Sequence, residues 1–128
     1  MGSSKKIITI LLIIALCLAC ASCGFAQKVV VFAYDPGDYF VTNITDSKSL
    51  LKSDLTIEMT GKSQYKELTD NTFKVRDIII SVLRTKTYDE LKSTDIQDVL
   101  KVEISDKLKE SLEIDTIQNI YFNEFVIQ

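Results

Sequence analysis

The sequence predicts an α+β protein: an N-terminal single transmembrane helix, then a small antiparallel or mixed sheet packed on helices. Three observations predict it. Residues 7–26, IITILLIIALCLACASCGFA, hold no charge. Residues 51–59 alternate apolar and polar side chains, the period of a half-buried strand. Ile96, Leu100, Ile104, Leu108 and Leu112 then mark one stripe of a long helix. Strands, then helices, then a closing strand is the element order of an α+β fold.

Taken in order, the elements divide the chain into four parts. Residues 1–6 form a short N-terminus carrying Lys5 and Lys6, expected to stay in the cytoplasm by the positive-inside rule. Residues 7–26 are long enough as a helix, about 30 Å, to span a bilayer core. Residues 27–38 are a short linker, and residues 39–128 an extracytoplasmic domain. A cleaved signal peptide shares this layout, with ACA at Ala19–Ala21 suited to cleavage. The full spanning length favours a retained anchor.

Three cysteines, Cys17, Cys20 and Cys23, fall within the apolar run and none after it. Their spacing resembles part of an iron–sulfur ligand set, but the fourth ligand is missing. Small apolar residues in a helix account for them more simply. Cys20 is also a candidate lipidation site, because CLAC approximates a lipoprotein signal, with Cys17 where a Leu is expected. The domain itself is left without a disulfide and must stand on packing.

Within the domain, the Val-rich run at residues 29–32 reads either as the end of a stalk or as a short strand. Asp35–Asp38, DPGD, is a turn, since Pro36 fixes φ and Gly37 accepts φ > 0. Tyr39–Ile44 reads as a strand. Leu51, Ser53, Leu55, Ile57 and Met59 face one side of the next, and Gly61 ends it. A helix follows with Phe73, Ile79, Ile80 and Leu83 on its apolar side and Asp70 as its cap. Thr87–Glu90 and Thr94–Gln97 both have the capping-box form. Thr116–Gln128, rich in Ile, Phe, Tyr and Val, predicts a closing strand held between neighbours inside the sheet.

Composition excludes several functions. All eighteen acids follow residue 26 and outnumber the bases there, so no basic face for nucleic acid is implied. There is no His, hence no imidazole base or His metal ligand. The domain has no thiolate nucleophile and no Gly-rich phosphate loop. No catalytic, cofactor-binding or metal residue is predicted. A cage from Asp95, Asp98 and Glu103 is outweighed by a solvated helix face. The Asn43-Ile44-Thr45 sequon is a weak signal. Arg76 and Asp77, inside the most apolar helix turn, have two readings. Helix register sets them on the wet side, or Arg76 pairs across the fold or at a subunit interface.

Four stretches, in this order, carry a family resemblance: YFVTNITD, VRDIIISVLRTKTYDEL, LKVEISDKLKESL and IYFNEFVIQ. Together they resemble the flagellar basal body-associated protein FliL family, from about Tyr39 to Gln128. The family usually has a Gly where this chain has Ile96, and often a longer linker. The resemblance implies a stomatin/prohibitin-like domain on a single-pass anchor in the cytoplasmic membrane, at the flagellar basal body. It implies a non-enzymatic protein that assembles into a ring and supports the motor stator units. The implied roles are in motility and in control of rotation during chemotaxis. Two other readings compete with it. One is a secreted or lipid-anchored ligand-binding module unrelated to motility, and the other a carboxylate-dependent hydrolase.

Overall fold

The structure, a computed structural model, describes residues 2–9 and 28–128. Residues 2–9 are helical. Among the described residues no helix is long and apolar enough to cross a membrane. Most of the expected anchor, with Cys17, Cys20 and Cys23, lies outside the described residues.

The Val-rich run divides between its two readings: residues 28–31 belong to no strand, and β1 (Phe32–Tyr34) follows. β2 (Phe40–Asn43) and β3 (Leu50–Met59) complete the first half of the sheet. The alternation read in β3 is fully realised, with Leu51, Ser53, Leu55, Ile57 and Met59 all buried. Four helices come next: α1 (Lys62–Asp70), α2 (Thr72–Leu83), α3 (Tyr88–Leu91) and α4 (Ile96–Leu112). β4 (Ile117–Ile127) ends the fold.

β3 is the axis of the sheet, and every strand pair is antiparallel to it. β1 and β2 share one edge in tandem, with Phe32 opposite Met59 and Phe40 opposite Ser53. β4 runs along the other edge, from Ile117 opposite Met59 to Ile127 opposite Leu51. Register shifts leave Gln118 and Asn123 of β4 without a partner.

The closing strand expected between neighbours is therefore an edge strand. β3 has two edges, β1 and β2 occupy one of them, and no fifth strand lies outside β4 among the described residues. What anchors β4 is its ladder with β3 and its apolar inner side. Ile117 and Ile120 are buried, and Phe122, Phe125 and Ile127 pack against the core. Gln128 and Leu50 exchange two backbone hydrogen bonds of 2.8 Å.

The core lies between the inner face of the sheet and the helices. Val75, Ile78, Ile79, Val82 and Leu83 come from α2, and Ile96, Leu100, Ile104 and Leu108 from α4. The α4 stripe matches its sequence pattern. α2 does not match throughout, because Phe73 is 91% exposed. Val75 and Ile78 hold the inward side of the first turns, which turns Phe73 outward. Asp70 does not cap α2 but ends α1, where Lys66 pairs with it one turn away. The Thr87 capping box forms in full, whereas the Thr94 box does not. α4 starts at Ile96 behind Asp95, and the Asp95 carboxylate is taken by the Ser93 hydroxyl.

The Thr87 box carries a pH dependence. Backbone and side-chain hydrogen bonds from Thr87 hold the Glu90 carboxyl below its usual pKa. A depressed carboxyl stabilises the fold above its unfolded pKa, and the contribution is lost as pH falls through the folded value. Thr87→Ala is expected to flatten the acid limb of a melting-temperature profile. An unchanged limb would dismiss the box as a source of acid sensitivity.

Two buried hydroxyls, Thr42 Oγ1 and Ser53 Oγ, have no hydrogen-bond partner among the described residues. An orphaned buried hydroxyl costs about 1–3 kcal/mol. Thr42→Val keeps the shape and removes that cost, so the midpoint of urea unfolding is expected to rise. A fall would mean that the hydroxyl has a partner.

At the other end of the sheet, Gly61 lies against Thr116. A Cβ on Gly61 would meet Thr116 Oγ1 at 2.8 Å and Cγ2 at 2.9 Å. Thr116 is fixed in place: its N–H and hydroxyl both donate to Gln64 Oε1, at 3.0 and 2.8 Å, and Thr60 N–H donates to its carbonyl at 3.1 Å. Gly61→Ala is therefore expected to destabilise by about 1–3 kcal/mol. Equal unfolding midpoints for the two proteins would show that Thr116 moves aside without cost.

Candidate functional site

Of the residues singled out in the sequence, Arg76 meets the Asp35–Asp38 turn between β1 and β2. Asp35 Oδ1 accepts from the Gly37 N–H at 2.8 Å, closing the turn, and Gly37 has φ +97°. This is a conformation open to Gly and strained for other residues. Arg76 reaches the turn from α2. Its Nη1 donates to the carbonyls of Pro36 at 3.0 Å and Asp38 at 2.8 Å, and Nη2 to that of Tyr39 at 3.4 Å. The guanidinium also lies 4.4 Å from the centre of the Phe40 ring. Of the two readings of Arg76, pairing across the fold is what the side chain does. Its partners are backbone carbonyls, so the planar fork serves as a clasp for a bare turn.

Asp77 is exposed on the outer side of α2 and in no ion pair among the described residues. Beside the clasp, Tyr34 donates its hydroxyl to Thr72 Oγ1 at 3.1 Å. Burial raises the Tyr34 pKa, and the bond to Thr72 offsets part of that rise.

The turn opens onto the outer face of the sheet, which no helix among the described residues covers. Val41, Lys52 and Val126 form one row across β2, β3 and β4. Lys52 pairs with Glu124 at 2.9 Å and lies 3.9 Å from the centre of the Tyr39 ring. The hydrogen bond that Lys52 donates to Glu124 raises the Lys52 pKa. Tyr121 donates to Glu58 Oε2 at 2.6 Å, and Asn123 to Asp54 and Thr56. The sequence shows each of these residues but not their grouping, which depends on strand register.

The candidate cage of Asp95, Asp98 and Glu103 does not assemble. Asp95 bonds to Ser93, Asp98 pairs with Lys101 at 3.2 Å, and Glu103 pairs with Lys86 at 2.7 Å. Among the described residues no group of three or more ligands could hold a metal. Cys20 lies outside the described residues.

The chain is similar to two flagellar proteins. "Flagellar protein FliL" of Aquifex aeolicus (strain VF5) is 27% identical over 101 residues, covering 77% of this chain and 62% of that protein. "Flagellar protein FliL" of Bacillus subtilis (strain 168) is 23% identical over 88 residues, covering 69% and 63%. The chain thus spans about three fifths of the length of these relatives. The family described as "Flagellar basal body-associated protein FliL" matches residues 33–128, a range that opens inside β1 and takes in every later element. The chain belongs to the flagellar basal body-associated protein FliL family.

Proposed function

We propose that this chain is a non-enzymatic, membrane-held component of the flagellar basal body that supports the motor stator units. Its effects would be on motility and on control of rotation during chemotaxis. The observation that carries the reading is the family match over the whole folded domain. That match runs against an unrelated ligand-binding module. A single-pass anchor over residues 7–26, with the domain extracytoplasmic, belongs to the same proposal.

Support for stators by a stomatin-like ring requires self-association by head-to-tail contacts. The α2 turn bearing Arg76 and Asp77, with the β2 edge it clasps, is one contact surface in this proposal. The next copy's α4 is the other. Anchoring in one membrane raises the local concentration, so each contact can be weak. Fluorescence of a tagged copy in flagellated cells tests the motor role. Foci at flagellar bases that fade when stators are removed are expected, and a uniform membrane signal would refute it.

A further inference from the structure

We propose that the open edge of β4, where it faces α4, takes the Val29–Val31 segment of a second copy as an added strand. The inference deepens the proposed self-association and rests on it.

The acceptor is a groove of about 230 Å³ between α4 and the start of β4. Lys101, Ser105, Asp106 and Lys109 line the helix side, and residues 117–120 of β4 the other. β4 bonds to β3 on one side only. A strand edge flanked by a helix is a geometry that binds extended peptide through main-chain hydrogen bonds.

The donor lies in the same sequence. Val29, Val30 and Val31 are 66, 61 and 52% exposed, belong to no strand, and are all β-branched. Three such residues together favour an extended strand, yet β3 has no backbone left to pair with them. It ends at Met59 opposite Phe32, and the chain turns at Gly61 into α1.

The segment cannot fill its own groove by the same pairing. β1 and β4 lie on opposite edges of β3, about 10 Å apart at ordinary strand spacing. The contacts of Thr60 and Gln64 with Thr116 close the end of the sheet between them.

Polarity fits a neighbouring copy. β1 and β4 are both antiparallel to β3, so they run parallel to each other. Copies held in one orientation would present Val29–Val31 parallel to the next β4. Phe32 and Ile117 both face Met59, so at equal height Val29–Val31 stop just short of β4, and the donor copy has to stand about three residues, about 10 Å, further along the strand direction to pair with residues 117–120. Each copy would give a strand on one side and accept one on the other, a contact that propagates. The unpaired Gln118 limits the regular pairing to a few residues, so membrane tethering has to supply the concentration.

The test is photo-crosslinking of the full-length protein in membranes. Benzoylphenylalanine is placed at position 30, at 118, or at 77 as a reference surface. Dimers from 30 and 118, with the first mapping to residues 101–120, are the expected result. Val30→Pro removes a backbone donor outside every strand and is expected to lower the dimer yield from position 118 about tenfold. Dimers from 77 with none from 30 or 118 would overturn the added strand while leaving self-association intact. A crosslink from 30 to 118 within one chain would overturn the second copy as donor. Dimers from none of the three would overturn self-association as well.

Discussion

Leu100→Ala is expected to lower the unfolding free energy by about 3–5 kcal/mol, the upper part of the range for large-to-small changes in a core. Leu100 is fully buried at the middle of the α4 stripe, with Ile96 before it and Ile104 and Leu108 after it. α4 packs on both α2 and β4, so the lost methyl groups face two elements. Neither can close the gap alone: α2 is fixed by five buried side chains of its own, and β4 by its ladder to β3. Domains of this size have about 5–15 kcal/mol in total, so the change removes a large fraction. Val102, on the same helix but 60% exposed, serves as a control, and Val102→Ala is expected to stay within about 0.5 kcal/mol. Urea unfolding followed by circular dichroism separates the two. A loss below about 1 kcal/mol for Leu100→Ala would show that the core at this level is looser than its burial implies.

Arg76→Gln is the second large effect. The guanidinium holds the Pro36 and Asp38 carbonyls with two bonds of 3.0 Å or less and stacks on Phe40. Charge-assisted bonds contribute about 1.5–3 kcal/mol. The glutamine amide is shorter and uncharged and cannot span the turn. The consequence is local before it is global, because the turn between β1 and β2 loses its tie to α2. Cleavage by a nonspecific protease near Asp35–Tyr39 is expected to speed up by at least tenfold. Arg76→Lys keeps the charge but not the fork and should recover part of the protection. Equal cleavage rates for Arg76→Gln and the unsubstituted protein would rule out the clasp.

How much of this was legible in the sequence depends on the reach of each interaction. The β3 alternation, the α4 stripe and the Thr87 box are set within a few residues, and all three formed as read. α1 went unread because its apolar signal is thin: Leu68 is its one buried residue, and Tyr65 packs from the side. Phe73 fitted the period of α2 well enough to be taken for core, although Val75 and Ile78 hold the inward side. The edge position of β4 depends on where β1 and β2 dock, which no local pattern records. For Arg76, the residue was visible but its partners, some forty positions earlier in the chain, were not. The family was visible in the order of four short stretches.

The central position of β3 has a consequence for how the chain reaches its folded state. β3 finds its partner β4 only across four helices, in a ladder that joins residues roughly 60–75 positions apart. Until β4 arrives, β3 is a ten-residue strand with one whole edge bare and a continuous apolar side uncovered. A segment of that kind is a template for pairing with other unfinished chains. The charges on its opposite side, Lys52, Asp54 and Glu58, then act as gatekeepers during synthesis, before they have any role in the finished surface.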